Sequence, residues 1–170
     1  MLLMIRRVHR TRLLCAIGVS LWLAVVAGRQ AVPPAALSKE LRARVQNERF
    51  AIVTSIRGLP LGVRDGLEKL FGSEELDIAE PGAKFQVKDV VGNTKLPTRR
   101  LIAAGCSYDY CLVYYERGGP AHTWHVALFH WAPDATRFEW GGTAPGGLMT
   151  IDDVRRAVLA GAIKGPTQSW

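Results

Sequence analysis

From Ser38 onward the apolar positions follow first a helical period and then a strand period. Leu41, Val45, Ile52, Val53 and Ile56 recur at helical spacing opposite a charged face. Ser38 is therefore expected to cap a helix that ends near Gly58. Pro60 suits the first turn of a second helix, whose stripe is Leu59, Val63, Leu67, Leu70 and Phe71, and Gly72 fits its C-terminal cap. The two together predict an N-terminal helical hairpin.

After Pro81 and Gly82 the pattern shortens to β-rich runs parted by turn residues, at 85–91, 99–106, 110–116, 122–131 and 137–140. The short connections at 117–120, with its paired glycines, and at 132–136 make neighbouring strands antiparallel. Thr150 and Asp153 have capping-box spacing ahead of the stripe Ile151, Val154, Val158 and Ala162, which predicts a last helix stopped by Gly165 and Pro166. The expected class is α+β: an N-terminal helical hairpin, an antiparallel sheet of about four to five strands and a C-terminal helix, with the helices against one sheet face.

The first 27 residues have a different grammar. Arg6, Arg7, Arg10 and Arg12 precede a run of apolar residues, and no acidic residue occurs before Glu40. Arginines that stay at the inner membrane face, a short apolar helix and small residues at Val25 and Ala27 make a secretory signal, cleaved after Ala27 or Gly28. The apolar stretch, 13–28, is shorter than the roughly 20 residues that span a bilayer comfortably. The alternative is an uncleaved anchor in the inner membrane through 13–28. Cys15 opens the apolar run instead of following it, so it is not a lipoprotein cysteine. The expected organisation is a signal peptide at 1–27, a Pro33–Pro34 linker at 28–37 and one exported domain at 38–170.

Export revises the charge. The precursor carries 22 basic and 15 acidic side chains, a net +7; loss of four signal arginines leaves 18 against 15, a net +3. No basic run with interleaved aromatics remains, so nucleic acid is not an expected partner. Contact with a membrane is expected only through the N-terminal segment before cleavage.

Candidate chemistry is sparse. Cys106 and Cys111 bracket four residues, a spacing that faces them across a hairpin and, in an oxidising compartment, predicts a disulfide. His122, His125 and His130 do not form a metal site: on a strand the first two point to opposite faces, and His122 and His130 lie roughly 26 Å apart at about 3.3 Å per residue. Gly141, Gly142, Gly146 and Gly147 lack the lysine and hydroxyl of a phosphate loop and read as a flexible connection. No cofactor motif is present. Tyr and Trp crowd the strand region, and if one sheet face is uncovered, Arg99, Arg100, Tyr108, Tyr114, Trp124 and Trp140 form a candidate binding surface.

Two resemblances add context. The segment His-Val-Ala-Leu-Phe at 125–129 resembles the histidine strand of secreted cysteine-type cell-wall peptidases. It implies a hydrolase in which Cys106 or Cys111 is the nucleophile and His125 the base. In those enzymes, however, the nucleophile opens a helix, whereas Cys106 sits in a strand-like run 19 residues before His125. The stretch from about Arg49 to His130, with LPLGVRDGLEKLFG and CLVYYERGGPAHTWHVALF, resembles a group of small uncharacterised exported bacterial proteins. That implies an envelope protein and assigns no catalytic residue. The expectation is a non-enzymatic periplasmic or secreted binding domain, inhibitor-like or envelope-associated, whose partner is an envelope protein or a cell-wall glycan; the alternative is the cysteine-type hydrolase.

Overall fold

The structure is a computed structural model that describes residues 36–87, 95–165 and 170. The expected signal segment and residues 28–35 of the linker lie outside them. Along the chain come α1 (Lys39–Asn47), β1 (Ala51–Val53), one 3-10 turn (Ile56–Gly58), α2 (Leu61–Phe71), β2 (Arg99–Cys106), β3 (Tyr110–Arg117), β4 (Thr123–Ala132), β5 (Ala135–Ala144) and α3 (Ile151–Leu159). The strands form one antiparallel sheet in the order β1-β2-β3-β4-β5. The class is α+β, as the hydrophobic pattern predicts.

Both sheet faces are covered, not one. Leu41 and Val45 of α1 and Ile151, Val154 and Val158 of α3 pack on Leu112, Tyr114, Val126, Leu128 and Trp140. Val63 and Leu67 of α2 pack on Leu101, Val113, Tyr115, Ala127 and Phe129 of the other face. Central β3 is therefore buried nearly end to end, which is why YCLVYY reads as a continuous apolar run instead of an alternation.

The helix expected over 38–58 stops at Asn47, and the chain crosses the sheet edge as β1 before α2 begins. Phe50 packs on the first face and Ile56 on the second, while Ile52 on the edge strand is 74% exposed. What ends α1 is a tertiary contact: Arg155 of α3 donates to the carbonyls of Val45, Gln46 and Glu48 at 3.0–3.1 Å. These carbonyls are among those a helix C-terminus leaves unpaired.

Other boundaries follow their local chemistry. Gly72 takes φ 66° and closes α2. Thr150 and Asp153 form the capping box of α3. That helix ends before the expected stop, at Gly161 with φ 73°, which frees Lys164 to pair with Thr143 at the β5 edge. Of the strand expected at 85–91, residues 85–87 form no strand and 88–91 lie outside the described residues. Gly62 and Gly66 let α2 lie close on the sheet: a Cβ at Gly66 would come 2.8 Å from the Phe129 ring. Among the described residues no helix is long and apolar enough to cross a membrane.

Candidate functional site

Three places concentrate the polar and aromatic side chains, and they lie apart. The first is the β2–β3 turn. Cys106 and Cys111 are directly opposite in register, joined by a disulfide, with Cα atoms 4.1 Å apart. Below the turn tip, Ser107 N–H donates to the Tyr110 carbonyl at 2.7 Å, and Tyr110 N–H donates to Ser107 Oγ at 3.0 Å. From the next strand, Trp131 donates its N–H to the Asp109 carbonyl at 2.8 Å and its indole N–H to the Ser107 carbonyl at 3.3 Å. Ser107 Oγ also contacts the Glu48 carboxylate. Inside this frame Tyr108 is 90% exposed.

The second place is on the α1/α3 face at the other end of the sheet. The buried Glu116 carboxylate receives Arg100 Nε at 2.6 Å and lies 2.7 Å from His122 Nε2. The Arg100 guanidinium covers the Phe85 ring at 4.6 Å, and His122 stacks on Trp124 at 4.6 Å. All charged groups here are matched.

The third place, on the α2 face, is not matched. Arg99 and Arg117 are directly opposite across β2 and β3, an arrangement that like charges disfavour. Arg99 is buried, bonds Asp77 at 2.5 Å, covers the Phe71 ring at 4.1 Å and donates Nε to the main-chain oxygen of Trp170 at 3.1 Å. The Arg117 side chain makes no hydrogen bond or ion pair among the described residues. Next to this pair, the His125 imidazole stacks on Tyr115 with centroids 5.3 Å apart. His125 Nε2 meets Thr123 Oγ1 at 2.8 Å, whereas His125 Nδ1 and the Tyr115 hydroxyl are buried and have no hydrogen-bond partner among the described residues. Burial, reinforced by Arg117 and Arg99, pushes His125 down to about 4; burial pushes Tyr115 well above its usual range.

The sequence-predicted surface residues do not form one surface. Tyr114 is fully buried, its hydroxyl donating to the Pro145 carbonyl at 2.8 Å, and burial pushes that phenol up to about 12. Trp140 is also core, and α1 and α3 pack on the face that was expected to be open. Arg99 faces α2, whereas Arg100 and Trp124 face the other way. Only Tyr108 stands in solvent. The nucleophile–base pair does not assemble either: both sulfurs are bonded to each other, and Cys111 pairs with Phe129, four residues along β4 from His125, about 13 Å at strand rise.

His122 lies on the Glu116 face and His125 on the other, and among the described residues no three His, Cys, Asp or Glu side chains converge on a metal position. The glycine segment is not a flexible connection throughout. Gly141 and Gly142 belong to β5, where a Cβ would strike the Val126 and Lys164 carbonyl oxygens at 2.2 and 2.3 Å. Gly146 rests on the Trp124 ring, and Gly147 alone needs a positive φ, 82°.

Tyr115, Arg117, Asp77 and Trp170 were not singled out by sequence pattern. The alternation of β3 places Tyr115 and Arg117 on one face, but their meeting with Arg99 depends on a β-bulge between Leu101 and Ala103. No protein-family model, curated protein or solved structure matches this chain.

Proposed function

We propose that the chain is an exported, non-enzymatic binding protein of the periplasm or extracellular space whose contact point is the disulfide-closed turn bearing Tyr108. The observation that carries this reading is an almost fully exposed tyrosine on a turn held by a covalent bridge and by hydrogen bonds from β4. A turn whose backbone is held before association has less conformational entropy to lose, and tyrosine is among the residues that dominate interface energies. The paired cysteines also suit the compartment implied by the arginine-led N-terminal segment. With Cys106 and Cys111 bonded to each other and His125 four residues along β4 from the Cys111 partner Phe129, the described residues offer a cysteine-hydrolase mechanism no nucleophile. The partner that best suits a single projecting aromatic is an envelope protein with a pocket, as an inhibitor-like domain would require.

The test is capture from envelope extract with the wild-type chain and with Tyr108→Ser, their folding compared by thermal unfolding. One protein should be retained by wild type and lost with Tyr108→Ser. Equal retention by two equally stable chains would overturn the assignment.

A further inference from the structure

We propose that the open edge of β1 is a second binding site, one that stands without the Tyr108 reading, where an extended, carboxylate-rich protein segment adds a further strand to the sheet. β1 hydrogen-bonds β2 along one edge, and among the described residues nothing bonds its other edge. Ala51 and Ile52 are exposed and uncharged, whereas an exposed edge ordinarily carries charge or a covering segment. The opposite edge has both: β5 bears the Arg137–Glu139 ion pair and joins Thr143 to Lys164. Unpaired main-chain groups flanking an apolar side chain are what strand addition uses.

Charge selects the occupant. Arg49 precedes β1 and Arg57 follows it in the 3-10 turn, which folds back so closely that a Cβ at Gly58 would lie 3.2 Å from Val53. Both arginines are exposed, and neither side chain makes a hydrogen bond or ion pair among the described residues. The neighbouring carboxylates are engaged: Glu48 by Arg44, Asp152 by Arg155, and Glu80 by the Ile56 N–H. Outside the described residues the sequence holds a single carboxylate side chain, Asp89, too few to serve both ends of the strand. A second copy of this chain, pairing β1 with β1, would bring two such sets of arginines together, a like-charge arrangement that opposes it. An acidic segment meets the arginines with opposite charge at each end and supplies N–H and C=O groups along its middle.

The probes are the peptide acetyl-Glu-Glu-Val-Thr-Val-Thr-Val-Glu-Glu-amide, a twin with Lys for every Glu, and a twin with two successive central amides N-methylated, which blocks both of its edges. Each is titrated into protein expressed from the full-length chain. At low ionic strength wild type should bind the acidic peptide about tenfold more tightly than either twin. Arg49→Glu/Arg57→Glu, its folding compared with wild type by thermal unfolding, should reverse the preference and favour the lysine twin. Amides within 51–54 should gain hydrogen-exchange protection in the wild-type complex, a measurement that needs no variant. No binding, equal binding of the acidic and lysine peptides, full affinity for the N-methylated twin, or unprotected amides at 51–54 would each overturn the site. So would a dimer, formed without peptide, that Ile52→Lys dissolves. Tyr108→Ser should bind the acidic peptide as wild type does; loss there would move the peptide to the turn and overturn the edge site. Whether Tyr108 holds the envelope partner is read separately, by the capture experiment.

Discussion

His125 stacks on Tyr115 at 5.3 Å and 20°, so an imidazole is held neutral inside the sheet packing next to two arginines. The pH consequence has a definite sign. His125 takes up a proton near pH 6.5 when the chain is unfolded and only near 4 when folded, so its contribution is intact above pH 6.5 and lost as pH falls towards 4. The loss is on the order of 3 kcal/mol. Urea unfolding at pH 7.5 and 4.5 should show this drop in wild type and a clearly smaller one in His125→Phe, which keeps the ring stack. Equal drops would place the acid sensitivity elsewhere.

The cysteine bridge closes a very short loop, so its entropic contribution to stability is about 2 kcal/mol. Cys106→Ala/Cys111→Ala should therefore fold with an unchanged far-ultraviolet circular dichroism spectrum and lose about that much stability. Its affinity for the partner should fall because the turn is no longer held before binding. Collapse of the fold would show that the bridge maintains the sheet and not the turn.

Gly66 meets Phe129 so closely that an added methyl must displace a buried ring. On an exposed helix Gly→Ala gains about 1 kcal/mol. Here Gly66→Ala should instead cost about 1–3 kcal/mol, and less in a Phe129→Leu background than alone, as thermal unfolding of the four chains would show. A stabilising Gly66→Ala would mean that α2 rides higher above the sheet.

Glu116 joins Arg100 and His122 in one buried network. Glu116→Leu strands Arg100 and should cost about 3 kcal/mol. Arg100→Leu/Glu116→Leu should cost less than the sum of its single changes, a coupling of about 1 kcal/mol or more. Strict additivity would mean that the pair contributes no mutual stabilisation.

Much of this architecture was legible because its signals are local. The Thr150–Asp153 capping box, the left-handed Gly72, the limits of β2 and the facing of Cys106 and Cys111 depend on residues close in sequence. The break after Asn47 depends on Arg155, more than a hundred residues away, which periodicity does not reveal. Register was the subtler loss. Extending the Cys106–Cys111 pairing without interruption would set Arg100 opposite Arg117; the bulge after Leu101 sets Arg100 against Glu116 and Arg99 against Arg117. One extra residue thus creates both the matched network on one face and the unmatched pair on the other. Trp140 and Tyr114 were misjudged for a related reason: strand alternation assigns a face but not whether a helix covers it.

The central claim is that Tyr108 is the contact point, and cross-linking at that position tests it most directly. A photoreactive benzoylphenylalanine at position 108, irradiated in intact cells, should give one specific adduct with an envelope protein. The same group at the exposed Asp134, in the turn between β4 and β5, should give none. No adduct from position 108, or the same products from both positions, would contradict the account.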